Sequence, residues 1–268
     1  MIPNYEQIKC ERKGPDGEAL WVTLNNEPMM NALSDTMQKE LLHLLNEIVF
    51  DNSIRCVVLT GAGEKAFSSG GDIELFKSLN HVSGYDFAYA RGNTIQHLMN
   101  YMEKPIIAAV NGYCFAGGME IALCCDFIYA SQNAKFGLLE INIGLLPGWG
   151  GTARLPRKIP VNKAKEMIYR GEILTAEQAL NWGLVNCVLP SISSLHEAVD
   201  KVVAEMVAKP PLALRAAKNV INNSITCDSI EAALAIERGA CSWLLASEDS
   251  QEGVAAFLEK RKPKFKGM

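Results

Sequence analysis

The chain predicts an α/β protein that ends in a purely helical region. Three observations carry that prediction. Short apolar segments recur at residues 19–25, 54–60, 106–110 and 127–130. Between them lie stretches with apolar residues at helical spacing, and such alternation argues for largely parallel strand pairing. From about residue 195 the strand-like segments stop and only helical periodicity remains. A chain of 268 residues can build one large core with an appendage, divided here into a core over 1–195 and a helical region over 196–268.

Each element follows in turn. Residues 19–25 (Ala-Leu-Trp-Val-Thr-Leu-Asn) read as a strand running into a turn over 26–31. Ser34 suits the N-cap of a helix that carries Met37, Leu41, Leu44, Leu45 and Ile48 on one stripe. The strand at 54–60 feeds a loop over 61–72 rich in glycine and small residues. Residues 84–102 read as helix, stopped by Lys104-Pro105. The segment 106–110 (Ile-Ile-Ala-Ala-Val) is a fully apolar strand ending at the Asn111-Gly112 turn. Helix is expected over 118–125 and strand over 127–130. Further helices are expected over 196–208, 212–223, 229–246 and 249–260, broken by Pro210-Pro211 and by residues 226–228. In that region Ala, Leu and Ile cover more than one helix face, so part of it is expected to pack on another subunit.

Composition narrows the function. Hydrophobic residues at 49% and charged residues at 21% exclude a disordered chain. A formal net charge of -4 disfavours nucleic acid as a partner. The one basic cluster, Lys260-Arg-Lys-Pro-Lys-Phe-Lys266, reads as a solvated C-terminus, with a polyanion or a neighbouring subunit as the alternative contact. The eight cysteines (Cys10, Cys56, Cys114, Cys124, Cys125, Cys187, Cys227, Cys241) form no CxxC pair. That spacing argues against a metal site or a disulfide framework and for a reducing compartment. The N-terminal stretch lacks an apolar signal core, and no apolar run reaches the roughly 18–20 residues that span a bilayer. A cytoplasmic protein without a membrane anchor is the expectation.

Two glutamates stand out, Glu120 and Glu140, each within an apolar run beside a glycine-rich turn. A carboxylate among Leu, Ile and Phe loses hydration, which raises its pKa towards the range useful for proton transfer near neutrality. Glu120 can instead satisfy helix N–H groups, and Glu140 can cap the turn over 144–151. Two loops, Ser68-Ser-Gly-Gly-Asp72 and Ala116-Gly-Gly118, follow the strands at 54–60 and 106–110. Both are expected at the carboxyl ends of their strands, where ligands bind in parallel sheets. Converging backbone N–H groups in such loops would form an oxyanion hole, and the start of a helix adds favourable polarity. Paired glycines also mark ordinary tight turns. Other candidates are weaker. The histidines His43, His81, His97 and His196 are scattered on presumed surfaces, Ser68 and Ser69 lack a GxSxG context, and Gly61-Ala-Gly63 lacks the pattern of a phosphate loop. Asp72 reads as a residue that fixes its loop.

The ordered motifs resemble the crotonase (enoyl-CoA hydratase/isomerase) superfamily. They comprise Leu24-Asn-Asn-Glu-Pro, Asn31-Ala-Leu33, Ala66-Phe-Ser-Ser-Gly-Gly-Asp-Ile73 and Lys104-Pro-Ile-Ile-Ala-Ala-Val-Asn-Gly112. Ala116-Gly-Gly-Met-Glu-Ile-Ala-Leu123, Phe136-Gly137 with Glu140, Leu146-Pro-Gly-Trp-Gly-Gly-Thr152 and Phe257-Leu-Glu-Lys-Arg261 complete the set. The resemblance implies a crotonase-like ββα spiral core with a helical C-terminal trimerisation region, commonly in a hexamer of two trimers. It implies that Gly71 and Gly117 supply the oxyanion N–H groups. It implies that Glu120 orients and deprotonates water while Glu140 exchanges the proton at Cα. The intact pair favours hydration of an enoyl-CoA to a 3-hydroxyacyl-CoA, with coenzyme A as part of the substrate and no separate cofactor or metal. Ala66, Ser68, Ser69, Gly70, Asp72 and Ile73 match the segment that lies along the acyl-CoA.

Departures from the pattern bear on the substrate. Leu138-Leu139 stands where hydratases carry Gln-Pro, Ser69 replaces an alanine, and Trp149 replaces Ala or Phe. Trp149 either shapes the acyl pocket or packs the turn. Alternative readings are an enoyl-CoA isomerase or C–C hydrolase working through Glu140 alone, and a non-catalytic RNA- or partner-binding role for the basic tail.

Overall fold

The computed structural model describes residues 2–86 and 91–268. In chain order the first elements are β1 (Ile8–Lys13), β2 (Ala19–Leu24), α1 (Asp35–Ile48), β3 (Cys56–Gly61), β4 (Ala66–Ser68), α2 (Ile73–Phe76), α3 (His81–Asp86) and α4 (Thr94–Tyr101). There follow β5 (Ile106–Val110), β6 (Tyr113–Phe115), α5 (Gly117–Cys124), β7 (Phe127–Ser131), β8 (Lys135–Gly137), α6 (Gly151–Lys158), α7 (Val161–Arg170), β9 (Leu174–Thr175) and α8 (Ala176–Asn181). The chain closes with β10 (Cys187–Leu189), α9 (Ile192–Val207), α10 (Pro211–Ser224), α11 (Ile230–Leu245) and α12 (Glu248–Leu258). Two sheets result, of order β1-β2-β3-β5-β7-β10 and β4-β6-β8-β9. Pairing is parallel except for β1 with β2 and β8 with β9.

Strand alternation divides the larger sheet into two faces. Leu20, Val22 and Leu24 of β2, Val57 and Leu59 of β3, and Ile106, Ala108 and Val110 of β5 enter the main core with α1, α4 and α5. Trp21, Val58, Ile107 and Ala109 point to the opposite face, where α9 lays Leu195, Val199, Val203 and Val207 across them. That four-residue spacing is one helical stripe. The boundary expected at 195 therefore runs through a helix that belongs to the core, and the helices standing off from the sheet begin with α10. His196, expected on the surface, is half-buried and meets Trp21 edge-on at 5.0 Å between ring centroids.

Local rules explain the elements read correctly. Ser34 Oγ accepts from Met37 N at 3.2 Å and caps α1, whose stripe from Met37 to Ile48 is buried. The helix expected over 84–102 falls partly on 87–90, outside the described residues; α3 and α4 flank them. The unexpected strands β4, β6, β8 and β9 are only two or three residues long, too short to display a period of two. At the C-terminus the backbone of the basic tail folds back on α12, while Lys260, Arg261, Lys262, Lys264 and Lys266 stay exposed, as expected of a solvated terminus. Lys266 N and Gly267 N donate to the buried Asp249 at 2.6 and 2.9 Å, and Arg261 pairs with Glu252 at 2.6 Å. Among the described residues no helix is long and apolar enough to cross a membrane.

Asn111 locks the two strands that carry the loops. Its Oδ1 accepts from Gly61 N at 3.1 Å, and its Nδ2 donates to Gly61 O at 3.0 Å and Gly63 O at 2.8 Å. Asn111→Ala is expected to destabilise the protein by about 2–4 kcal/mol, because buried backbone groups lose their partners. Denaturant unfolding at fixed protein concentration checks this; a loss below about 0.5 kcal/mol contradicts the account.

Candidate active site

The two glycine-rich loops leave the smaller sheet side by side. Residues 69–72 follow β4, and Ala116 joins β6 to α5. A Cβ placed on Gly70 would lie 3.1 Å from Gly117 N, and one on Gly117 would lie 3.5 Å from Gly71 N. A Cβ on Gly118 would stand 2.6 Å from Ser68 O. The loops thus touch backbone to backbone, which only glycine permits. Gly70 has φ +101° and Ala116 has φ 48°, a strained value for alanine directly before the half-buried Gly117. Neighbouring chain pins the first loop: Leu33 N donates to Gly70 O at 2.8 Å, and Ser69 N donates to Met30 O at 3.0 Å. The Gly71 and Gly117 N–H groups have no hydrogen-bond partner among the described residues. Gly117 opens α5, where unpaired N–H groups and the helix dipole attract negative charge.

Glu120 lies in the first turn of α5 and is 3% exposed. Its carboxylate does not serve its own helix. Oε1 accepts from Trp149 N and Gly151 N, both at 2.8 Å, and so caps the start of α6. Burial pushes its pKa up to about 7; the two backbone donors and Arg154 oppose that push, while the like charge of Glu140 adds to it. Glu140 begins a 3₁₀ turn, Glu140–Ile143, that ends at Gly144 in a left-handed conformation. Burial raises its pKa as well, and its Oε2 is enclosed with no hydrogen-bond partner among the described residues. An enclosed carboxylate oxygen without a partner is a costly arrangement that needs a reason.

The residues expected along the acyl-CoA divide into two sets. Ile73 is 59% exposed, and Ser69 and Asp72 are half-buried. Asp72 Oδ1 accepts from Glu74 N at 3.0 Å and caps α2, in keeping with a loop-fixing part. Ala66, Ser68 and Gly70 are buried, so their side chains present nothing to a ligand. Ala66 O accepts from Asn31 Nδ2 at 2.8 Å, and Ser68 Oγ accepts from Gly70 N at 3.2 Å. Trp149 is 6% exposed and belongs to the main core; its indole occupies the space that a Cβ on Gly92 would need. The side chain packs the turn while its amide serves Glu120.

Sequence reasoning missed three residues around this site. Phe76 sets its ring 3.1 Å from a would-be Cβ of Gly71, roofing that amide. Gln96 and Arg154 meet behind the 149–151 turn, Nη1 to Oε1 at 2.5 Å. No spacing rule signals either, since their partners are far apart in sequence.

Comparison with known proteins agrees with this geometry. The family model described as enoyl-CoA hydratase/isomerase matches residues 17–268. A short-chain-enoyl-CoA hydratase of Clostridium acetobutylicum is 39% identical, covering 92% of this chain and 94% of that protein. A crotonyl-CoA hydratase of Syntrophomonas wolfei is 38% identical, covering 97% and 98%. A crystal structure of an enoyl-CoA hydratase from Bacillus anthracis superposes with a TM-score of 0.93 at 36% identity, covering 98% of this chain and all of that one. The crotonase-type α/β fold expected from the sequence is thereby borne out.

The displaced pKa of Glu120 has a consequence for stability. Its ordinary value is 4.5 and its folded value is about 7, so between them the folded state binds more protons than the unfolded state. Stability attributable to this group is therefore full below about pH 4.5 and is lost as pH rises through about 7. Glu120→Gln keeps an oxygen for the two amides and removes the charge. It is expected to stabilise the protein at about pH 8 by up to about 3 kcal/mol, with the gain vanishing near pH 4.5. Paired unfolding curves at the two pH values check this; equal gains at both would contradict it.

Proposed function

The chain belongs to the enoyl-CoA hydratase/isomerase family, and we propose that the two glutamates and two backbone amides described above perform its hydratase chemistry. The protein is an enoyl-CoA hydratase: it adds water reversibly across the 2,3-double bond of an enoyl-CoA to give a 3-hydroxyacyl-CoA. One observation carries the residue assignment. Buried Glu120 feels the charge of half-buried Glu140, whose enclosed Oε2 has no partner among the described residues, and the adjoining Gly71 and Gly117 N–H groups are likewise without one there.

The thioester carbonyl oxygen accepts from Gly71 N–H and Gly117 N–H. As water adds at C3, negative charge moves onto that oxygen, where the two amides and the start of α5 stabilise it. Glu120, as carboxylate, takes a proton from the water while its oxygen bonds to C3. Glu140, as acid, delivers a proton to C2 and closes the new C–H bond. Burial raises both carboxyl pKa values and the charge of Glu140 raises that of Glu120 further, which favours the proton exchange this step requires. No cofactor enters beyond the coenzyme A of the substrate. Ser69, Asp72 and Ile73 present the accessible edge along which the coenzyme would lie, with Ala66, Ser68 and Gly70 offering backbone. The acyl group is short, as in the short-chain enoyl-CoA and crotonyl-CoA for which the relatives above are named.

The assembly is a homotrimer or a dimer of trimers. Supporting this, Ile221, Ile225, Ile230, Trp243 and Leu245 on α10 and α11 are 57–69% exposed, an apolar surface of the kind that subunits cover.

Glu120→Gln and Glu140→Gln are each expected to lower kcat for crotonyl-CoA hydration roughly 10²–10⁴-fold, with KM changed far less. In ¹⁸O-water the parent protein places label at C3 of the product. Normal hydration by both variants, or a product without label, overturns the assignment.

A further inference from the structure

Arg154 is a cation whose charge holds the pKa of Glu120 down, and two elements restrain it. Its Nη1 donates to Gln96 Oε1 at 2.5 Å and to the Trp149 carbonyl at 3.2 Å. Gln96 comes from α4 and is 1% exposed, so the anchor is fixed in the core. Between them lies Gly150, with φ +97°, whose missing Cβ leaves the room that the guanidinium occupies. Trp149 and Gly151, which flank Gly150, are the two residues whose amides hold Glu120 Oε1. The arginine thus grips from behind the same turn that grips the carboxylate in front.

The anchor is specific. Arginine only donates, so it dictates that the amide oxygen of Gln96 face it. Gln96 Nε2 is then left enclosed with no hydrogen-bond partner among the described residues. An unsatisfied buried donor is unfavourable, and a leucine at 96 would avoid it. The amide is retained at that cost where its oxygen holds the guanidinium.

We infer that Arg154, anchored by Gln96, is a positioning residue for hydration: it keeps the 149–151 turn in the one arrangement that aims two amides at Glu120. This rests on the reading of Glu120 as the group that deprotonates water. Arg154 touches no reacting atom in this account; it acts through the turn and through its charge. The other groups acting on Glu120 are Glu140, from the segment after β8, and Cys124, on its own helix, whose thiol burial keeps neutral. Lys158, at the far end of α6, is engaged with Cys125 O at 3.1 Å. On losing Arg154, Glu120 therefore keeps both upward influences, burial and Glu140, and loses an opposing cation.

The test is the pH dependence of kcat/KM for crotonyl-CoA hydration, with thermal melting alongside, for the parent, Arg154→Met, Arg154→Lys and Gln96→Leu. In the parent, activity falls on the acid side as Glu120 protonates. Arg154→Met is expected to lower kcat about 10-fold or more, with KM within about twofold, and to move the acid limb to higher pH. Arg154→Lys keeps the charge but not the forked grip, so it should lose kcat while the limb stays near the parent position. Gln96→Leu frees the arginine and should lower kcat with a limb moved in the same direction, by less. Should Arg154→Met fail to fold, Gln96→Leu decides by the same two readouts. A lowered melting temperature with the limb and kcat of folded protein unchanged overturns the inference, because a merely structural arginine would behave that way. A parent that hydrates without an acid limb would instead refute Glu120 as the base, a different failure.

Discussion

A single desolvated carboxylate organises this molecule. Glu120 leaves α5, crosses to the 149–151 turn and takes two amide bonds at 2.8 Å through one oxygen. Those bonds stabilise charge at a place where burial opposes it. The outcome is a group poised near neutrality, neither a salt-bridged acid nor a protonated filler. Much of the neighbouring chain is shaped to keep that balance. The turn donates amides rather than a second cation, and the indole of Trp149 fills the space behind it. Gly151 stays bare because a Cβ there would sit 3.0 Å from Glu120 Oε1.

The second constraint is close approach of backbone to backbone. Gly70 and Gly118 bring the two loops within contact distances that side chains would forbid. The strain at Ala116 is held by its surroundings: its N–H donates to Gly137 O at 2.8 Å, and its carbonyl accepts from Glu120 N at 3.0 Å. The residue that sets the angle of the loop is therefore hydrogen-bonded to the backbone of Glu120. The start of α5 and the Glu120 carboxylate are thus tied together, and their relative placement is built into the fold.

Much of this was legible from local chemistry. The cap at Ser34 and the stripe from Met37 to Ile48 are short-range patterns, and both are observed. The apolar strand at 106–110 is buried on both faces, that at 127–130 is buried on one and half-buried on the other, and neither carries a competing signal. The strand Ile8–Lys13 escaped because it lies at a sheet edge and its Glu11, Arg12 and Lys13 read as loop. Helical periodicity begins with α9, and the stripe that lays this helix on the sheet, Leu195 to Val207, is legible only once the sheet face it covers is known. Within the candidate site, both glutamates and the glycine loops could be named because burial and bare backbone leave a compositional trace. Trp149 could be singled out as shaping the acyl pocket or packing the turn, but its contribution to Glu120 comes from its amide, which every residue but proline has. Arg154 and Gln96 escaped because their meeting depends on how α4 and α6 pack, which no window of sequence contains.

The same logic extends to the outer helices. Lys218 of α10 is 9% exposed, and its Nζ donates to Lys104 O at 2.8 Å and to Asp126 Oδ2 at 2.9 Å. Asp126 Oδ2 in turn accepts from Ile106 N at 2.7 Å, the first residue of β5. A buried ammonium so engaged is costly to strand, and removing one partner exposes the other to an unpaired charge. α10 is thus attached to the strand that leads through Asn111 to the second glycine loop. α11 and α12 have no comparable peg: Ala233, Asp249 and Ala256 are their buried residues, and much of their apolar surface faces outward. The helical region divides by its means of attachment. α10 is tied to the catalytic core by a buried ion pair, which fixes geometry. The helices after it bury little of themselves and leave Trp243, Leu245 and Phe257 open, so within one chain their apolar faces add little to their attachment.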